Sequence, residues 1–261
     1  MKKGIIFLLV TMLLILSVVG CGLSSNSAST TNTESTKNEG TKVYVGTDTA
    51  FPPFEFVDTA SGQYTGFDIE LLKEIAKNEN LNLEFKPMEF KAIVPGLQSK
   101  TLDIGIAGMT ISDERKQVVD FSEPYFQAGL VIGVKPGNTV IKSKDDLVGK
   151  TIAVKLGTSS EKLAHTIKDT KVKTFDNSND LYLEVENGGA DAVIEDLPVL
   201  KYYSVKNPGK LTIIDQPMTG DFYGIAVAKG KEDLLKKIND GLKKVKDSGK
   251  YDELYKKYFG N

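Results

Sequence analysis

Residues 102–122 read LDIGIAGMTISDERKQVVDFS, and the interpretation of the whole chain depends on them first. They predict a short apolar strand around Ile104, then a loop, and then a helix that begins near Ser112. Such a join leaves free backbone N–H groups at the carboxyl end of the strand, beside the positive end of the helix dipole. Gly108 permits close approach to the backbone, and the planar donors of Arg115 match a carboxylate. The stretch therefore predicts a binding site for a small anion, most simply a carboxylate.

The first 21 residues have the composition of a secretory signal peptide. Lys2 and Lys3 precede an apolar run over 4–19, and small residues precede Cys21. This ending resembles the lipobox of bacterial lipoproteins, in which the cysteine becomes the lipidated, palmitate-bearing first residue of the mature chain. Because Cys21 is the only cysteine, we expect no intramolecular disulfide and no cysteine-ligated metal. The alternative is an uncleaved membrane anchor, for which the segment is short.

Residues 22–41 are rich in serine, threonine and asparagine and predict a flexible tether to the outer face of a membrane. The remaining chain, 42–261, is long enough for one large domain or two lobes. The 33 basic and 35 acidic residues of the full sequence nearly balance, so we expect no nucleic-acid partner. With one histidine and one cysteine, a histidine-rich metal site is excluded, and we expect no metal and no cofactor.

Strand and helix patterns alternate from residue 42 onward and predict an α/β fold with largely parallel sheets. The predicted helices cover 68–79, 92–99, 179–187, 232–248 and 251–259, and Asp68 is predicted to cap the first. A further helix begins after a capping-box spacing at Thr158 and Glu161. The predicted strands cover 43–46, 81–87, 125–134, 151–155, 173–175, 190–194, 211–214 and 223–227. SKTLDIGIAGM is echoed by NGGADAVIEDL, which predicts two similarly built lobes.

Several polar and aromatic residues fall at the carboxyl ends of predicted strands, where open α/β sheets bind ligands. A free α-amino acid requires an anion clamp, which Arg115 and the Thr110 region supply, and an acid for its ammonium group, which Asp196 supplies. Phe51 and Phe90 can flank its side chain. Each residue taken alone also fits an ordinary role in a cap, a turn, the core or the surface. Their shared position at strand ends favours a common site.

At this point the chain resembles a known family. The segments TDTAFPPFEF, GFDIELLKEIA, KPMEFKAIVPGLQSKTLDIGIAGMTISDERKQVVDFSEPY, AVKLGTSS and YDELYKKYFG are similar to the polar amino-acid family of solute-binding proteins of ABC importers, and most of all to its glutamine binders. The resemblance covers nearly all of 42–261. It implies a two-lobed periplasmic-binding-protein-like fold with two hinge strands, in which lobe 1 covers 42–127 and 224–261 and lobe 2 covers 128–223.

The resemblance also implies which residues contact the ligand. They are Asp48, Phe51, Phe90, Ala107, Gly108, Thr110, Arg115, Lys155 and Asp196. Two positions depart from the glutamine-binding pattern, because Ser159 replaces a usual glycine and Glu195 replaces a usual histidine. We include both as expected ligand contacts, with Glu195 adding negative charge beside the ammonium site.

The expected function is capture of a polar amino acid by lobe closure and its delivery to an ABC importer permease. A neutral amide can donate to Asp48 and accept from Lys155, so glutamine is favoured over glutamate, asparagine and the basic amino acids. Glutamate or a basic amino acid is the alternative. We expect a monomer, bound to the extracytoplasmic face of the cell membrane only through its lipid anchor.

An enzyme related to dehydratases of the same fold is a further alternative. The chain has no GxSxG turn, and His165 falls within a predicted helix without a nucleophile or acid beside it. Glu195 and Asp196 could form an acid/base pair, but an ammonium partner explains Asp196 with fewer assumptions. We therefore predict a binding protein without catalytic residues. An extracellular sensor is a third reading, which the sequence favours least.

Overall fold

The computed structural model describes residues 40–214 and 217–260. The predicted signal peptide, Cys21 and nearly all of the predicted tether lie outside the described residues. Within these two ranges, no helix has both the length and the apolar character that crossing a bilayer requires.

Strands and helices alternate along the described chain. The strands are β1 (Thr41–Thr47), β2 (Ala50–Phe51), β3 (Glu55–Val57), β4 (Tyr64–Thr65), β5 (Leu81–Pro87), β6 (Ile104–Gly105), β7 (Val119–Phe121), β8 (Phe126–Gln127), β9 (Leu130–Val134), β10 (Thr151–Lys155), β11 (Lys171–Phe175), β12 (Ala192–Asp196), β13 (Thr212–Ile214), β14 (Phe222–Tyr223) and β15 (Ala226–Ala228). The helices are α1 (Phe67–Glu79), α2 (Phe90–Gln98), α3 (Asp113–Lys116), α4 (Ser159–His165), α5 (Ser178–Glu186), α6 (Leu197–Lys206), α7 (Glu232–Asp247) and α8 (Lys250–Phe259).

Two five-stranded sheets confirm the predicted two-lobed α/β fold. Their strand orders are β5-β1-β6-β15-β7 and β11-β10-β12-β9-β13. In each sheet the first three strands are parallel, and the remaining neighbours pair antiparallel. The parallel part places the ends of β1, β6, β10 and β12 where the sequence predicts the ligand site.

The chain passes between the two sheets at a short antiparallel pair, β8 with β14, in which Phe126 faces Tyr223. We call this pair the crossover. The predicted single strands over 125–134 and 223–227 are each divided in two, because the chain changes sheet there. Gly129 lies at this break, where an added Cβ would be 2.7 Å from the carbonyl oxygen of Thr219. The lobe boundaries at 127/128 and 223/224 stay a prediction.

Two other details differ from the prediction. Helix α6 was not predicted, although Asp196 precedes it and a proline occupies its first turn. Asp68 does not cap α1, because Gly66 occupies the cap position and Asp68 lies inside the helix. The side chain of Asp68 instead turns into the protein, where it is fully buried. One stripe of α1 is apolar and buried, and its members are Ile69, Leu71, Leu72, Ile75 and Ala76.

Candidate functional site

One cavity is lined by residues that follow strands of both sheets. It contains about 270 Å³ of space free of protein atoms, part of which is open to solvent. The lining residues are Phe51, Phe90, Ala107, Gly108, Thr110, Arg115, Lys155, Thr158, Ser159 and Asp196. All of them except Thr158 are predicted from the sequence as ligand contacts. The two remaining predicted residues, Asp48 and Glu195, lie outside this set.

Arg115 occupies the side of the cavity formed by the first sheet. It lies in α3, whose cap Ser112 accepts a hydrogen bond from the Arg115 backbone N–H at 3.3 Å. Its guanidinium donates from Nη1 to the carbonyl of Thr110 at 2.8 Å and from Nη2 to that of Gly157 at 3.0 Å. The same group lies 5.3 Å from the centre of the Phe90 ring. Burial lowers the pKa of Arg115, but a guanidinium remains charged in proteins. The cavity therefore has a fixed cation on this side.

Gly108 brings the backbone of the loop 107–110, which we call the ligand loop, close to an aromatic ring. Its φ is +52°, a left-handed value that favours glycine. A Cβ at this position would lie 2.6 Å from Cε1 of Phe51. Any larger residue would displace the ring or the loop.

Asp196 ends β12 and provides an acid on the opposite side of the cavity. It is 5% exposed, and its Oδ1 has no hydrogen-bond partner among the described residues. Burial raises the pKa of Asp196 well above its usual range, and the negative charge of the adjacent Glu195 is the second cause of this rise. A cationic group in the cavity would offset both effects. The site thus offers a buried carboxylate oxygen suited to an ammonium group.

A buried ion pair joins the two sheets at a further edge of the cavity. The Nζ of Lys155, at the end of β10, contacts Oδ2 of Asp48, just after β1. Lys155 is 1% exposed, and its Nζ lies 4.8 Å from the centre of the Phe51 ring. The other Asp48 oxygen accepts from the backbone N–H of Ala50 at 3.0 Å. Asp48 therefore lies next to the cavity lining as the partner of Lys155.

Glu195 is buried behind Asp196 and points toward α5. Its carboxylate accepts from the hydroxyls of Ser178 at 3.1 Å and Tyr182 at 3.4 Å, and from the Asp196 N–H at 3.0 Å. Burial raises the pKa of Glu195. Its expected direct contact with a ligand stays a prediction, because the structure gives it partners beneath the cavity instead.

Ser159 and Thr158 bring the second sheet against the ligand loop. The Ser159 hydroxyl lies 3.2 Å from that of Thr110. The predicted cap of α4 is confirmed, since Thr158 accepts from the Glu161 N–H at 3.4 Å. The second hydrogen bond of a capping box differs, because the Glu161 carboxylate accepts from the backbone N–H of Gly157 rather than from that of Thr158. The capping spacing identified Thr158 as a helix start but did not indicate that a cap at this strand end also lines the cavity.

Two lobes that enclose a cavity with a fixed cation on one side and a buried carboxylate on the other define a solute-binding protein with a cleft for a small zwitterion. The chain belongs to family 3 of the bacterial extracellular solute-binding proteins, whose pattern matches residues 43–261. This confirms the resemblance that the sequence motifs indicate.

Curated relatives cover most or all of the chain. It is 38% identical over 224 residues to the probable histidine-binding protein of Neisseria gonorrhoeae, covering 84% of this chain and 83% of the relative. It is 35% identical over 270 residues to the ABC transporter glutamine-binding protein GlnH of Bacillus subtilis, covering 99% of this chain and 97% of the relative. A solved ancestral arginine-binding protein bound to arginine is 46% identical with a TM-score of 0.81, covering 85% of this chain and all of the other. The names of these three proteins specify three different amino acids, histidine, glutamine and arginine.

Proposed function

We propose that the protein captures a free polar amino acid, with glutamine preferred, and delivers it to the permease of an ABC importer. The observation that carries this proposal is the placement of Arg115 and Asp196 on opposite sides of one cavity. Arg115 would hold the α-carboxylate through its planar donors, and Asp196 would hold the α-ammonium group. Closure of the two lobes around the ligand would form both contacts at once.

The preference for glutamine rests on the Lys155–Asp48 ion pair. A side-chain amide can accept a hydrogen bond from Lys155 and donate one to Asp48. An acidic side chain would face the like charge of Asp48, and a basic side chain would face the like charge of Lys155. Repulsion between two such charges 4 Å apart in a closed cleft costs on the order of 4 kcal/mol. A neutral amide is therefore the group that this edge of the cavity suits best.

A basic amino acid is the second candidate. The likeness to an arginine-binding structure supports it, as do the buried carboxylates Asp48, Glu195 and Asp196 near the cavity. An arginine side chain would have to displace Lys155 from Asp48 and take over its ion pair. This displacement makes the basic ligand the less favoured of the two.

Cys21 would carry a lipid that holds the mature protein at the extracytoplasmic face of the membrane. The support is the small-residue ending of the apolar segment and the polar residues 22–41 that follow it. Replacing the thiol in Cys21→Ser is expected to release the protein from the membrane fraction into the soluble fraction. Retention in the membrane after this change would contradict the lipid anchor.

The ligand is best identified by mass spectrometry of the small molecules released when the purified protein is denatured. Calorimetric titration of ligand-free protein with glutamine, glutamate, asparagine, arginine, lysine and histidine then ranks the candidates. We expect glutamine to bind most tightly and to be recovered unchanged after incubation with the protein. Tighter binding of arginine would favour the second candidate, and conversion of the ligand would indicate an enzyme.

A further inference from the structure

Two carboxyl groups are completely buried beneath the cavity without a cation of their own. Asp68 in α1 and Glu55 in β3 are both 0% exposed. The Oδ2 atom of Asp68 accepts two hydrogen bonds, from the Gly108 N–H at 2.8 Å and from the Tyr125 hydroxyl at 2.7 Å. Its Oδ1 atom, and both oxygens of Glu55, have no donor in the described part of the chain. Buried polar atoms without partners are costly, so these three oxygens call for an explanation.

The Asp68 backbone N–H donates to the carbonyl of Phe54, the residue before Glu55, at 2.9 Å. The two carboxyl groups therefore lie beside each other, within reach of a hydrogen bond between them. Such a bond requires a proton on one of the two acids. Burial raises the pKa of Glu55 well above its usual range, and the Asp68 carboxylate raises it further. Burial raises the pKa of Asp68 to about 6, and the hydrogen bonds from Gly108 and Tyr125, together with the neighbouring Glu55 carboxyl group, limit this rise. Asp68 also lies in the first turn of α1, where the helix dipole stabilises an anion.

The surrounding charges agree with a proton on Glu55. The groups that act on the pair are Asp48 after β1, Lys155 at the end of β10, Tyr125 beside the crossover and Tyr251 in α8. Lys155 is the only cation among these groups, and it is already paired with Asp48. A second negative charge at Glu55 would therefore be buried next to Asp68 without compensation.

We propose that Glu55 donates a shared proton to Oδ1 of Asp68, and that Asp68 is a positioning residue that ties the ligand loop to the crossover. Its carboxylate connects Gly108 of the ligand loop with Tyr125, whose backbone N–H donates to the carbonyl of Tyr223 in the crossover at 3.0 Å. This inference rests on the proposed function in one respect, which is that the ligand loop contacts the bound amino acid.

The same pair also fixes the aromatic wall of the cavity. Glu55 lies opposite Phe51 in the β2–β3 pairing, and the Phe51 ring packs on Gly108. Loss of the shared proton would place two like charges together, push β3 away from α1, and so move both the ring and the ligand loop. The protonation of Glu55 and the geometry of the ligand site are thus linked through direct contacts.

The shared proton is tested without any ligand by ¹³C NMR of the side-chain carboxyl carbons in the full chain. The carboxyl resonance that Glu55→Gln removes is expected to have the chemical shift of a protonated acid at pH 7. The resonance that Asp68→Asn removes is expected to titrate near pH 6 in the wild type. A Glu55 resonance with the shift of an ionised carboxylate at pH 7 would overturn the proposal, whatever amino acid the protein binds.

The positioning role is tested by the affinity for glutamine at pH 7, or for whichever amino acid the wild type releases. Asp68→Asn removes the charged acceptor of Gly108 and Tyr125, so we expect about a tenfold or greater loss of affinity. Glu55→Gln keeps a donor to Asp68, so we expect a smaller loss, about threefold or less. Glu74→Gln, the same kind of change on a partly exposed residue of α1, is the control.

Equal affinity of Asp68→Asn and wild type would overturn the positioning role. If Asp68→Asn does not fold, Tyr125→Phe replaces it. This variant removes one of the two donors to Oδ2 of Asp68, and we expect a loss of affinity of a few fold. Wild-type protein that binds no glutamine would contradict the ligand assignment, but the carboxyl titration would still decide whether the proton is shared.

Discussion

Arg115 is the residue on which binding of a carboxylate depends most directly. Its guanidinium donates to two backbone carbonyls, those of Thr110 and Gly157. Replacing it in Arg115→Ala removes a charge-assisted clamp worth about 3 kcal/mol. We expect the dissociation constant for the amino acid to rise by about 100-fold, as measured by isothermal titration calorimetry.

Arg115→Lys separates charge from geometry. It keeps the positive charge but loses the planar donors, so its affinity is expected to fall between those of wild type and Arg115→Ala. Binding by Arg115→Ala close to that of wild type would show that the carboxylate lies elsewhere.

Asp196 makes a prediction about protons. Burial raises the pKa of its carboxyl group and so favours the protonated form in the ligand-free protein. An ammonium group beside Asp196 favours the ionised form and so lowers this pKa. We expect ligand binding to release between zero and about one proton. The affinity should rise as the pH increases through the pKa of Asp196 in the ligand-free protein, and it should be lower at pH values below that pKa. Calorimetry in buffers of different ionisation enthalpy measures the release.

Glu195→Gln provides the matched comparison for this proton release. Its amide oxygen can still accept from Ser178 or Tyr182, while the like charge beside Asp196 is removed. The pKa of Asp196 should therefore fall, and fewer protons should be released on binding. Proton uptake, or a release that Glu195→Gln leaves unchanged, would contradict the assigned role of Asp196.

The residues that line the cavity were predictable because they directly follow strands, and the order of strand and loop can be read from the sequence. The direction in which the Glu195 side chain points was not predictable. Adjacent residues of a strand point to opposite faces, and its partners Ser178 and Tyr182 come from α5. Asp68 looked like a helix cap, because its buried partners Gly108 and Tyr125 are distant in sequence.

At the level of secondary structure, the sequence predicts the long periodic helices well and the short joins poorly. Helix α1 has an unbroken apolar stripe, whereas α6 carries polar and aromatic residues on several faces. The signal that was missed is Asp196 followed by Pro198, a cap and a first-turn proline. The strands beside the crossover appear continuous in sequence, because β-forming residues persist where the chain changes sheet.

The packing of α6 on the second sheet leads to a stability prediction. Gly133 lies within β9, and an added Cβ would be 2.6 Å from Cγ1 of Val193 and 2.8 Å from Cδ2 of Leu200 in α6. Overpacking at this site is expected to cost about 1–3 kcal/mol. Gly133→Ala should therefore lower the free energy of unfolding by that amount in urea denaturation.

Gly220→Ala is the control for this change. The same methyl group at Gly220 would have no atom of the described residues within 4 Å. We expect its effect on the free energy of unfolding to stay within about 0.5 kcal/mol. Equal effects of the two substitutions would show that α6 does not pack on Gly133 as described.

Across the whole molecule, ion pairs connect elements of the two lobes around the cavity. Lys91 in α2 donates to Asp176 at 2.7 Å, and Lys162 in α4 pairs with Glu114 in α3. Both pairs are solvent-exposed, so water screens them and each contributes little. The Lys155–Asp48 pair is buried, and removal of one partner there is far more costly. Closure should therefore depend on this pair more than on the exposed ones.

Lys155→Met tests that dependence. The substitution leaves the Asp48 carboxylate buried without a cation in the closed arrangement, at a cost of roughly 3–5 kcal/mol. We expect the variant to contract less than wild type on addition of excess amino acid, as measured by the radius of gyration from small-angle X-ray scattering. The double variant Lys155→Met with Asp48→Asn removes both charges and should recover most of the contraction, even if its affinity stays low. Full contraction of Lys155→Met alone would mean that lobe closure does not require this ion pair.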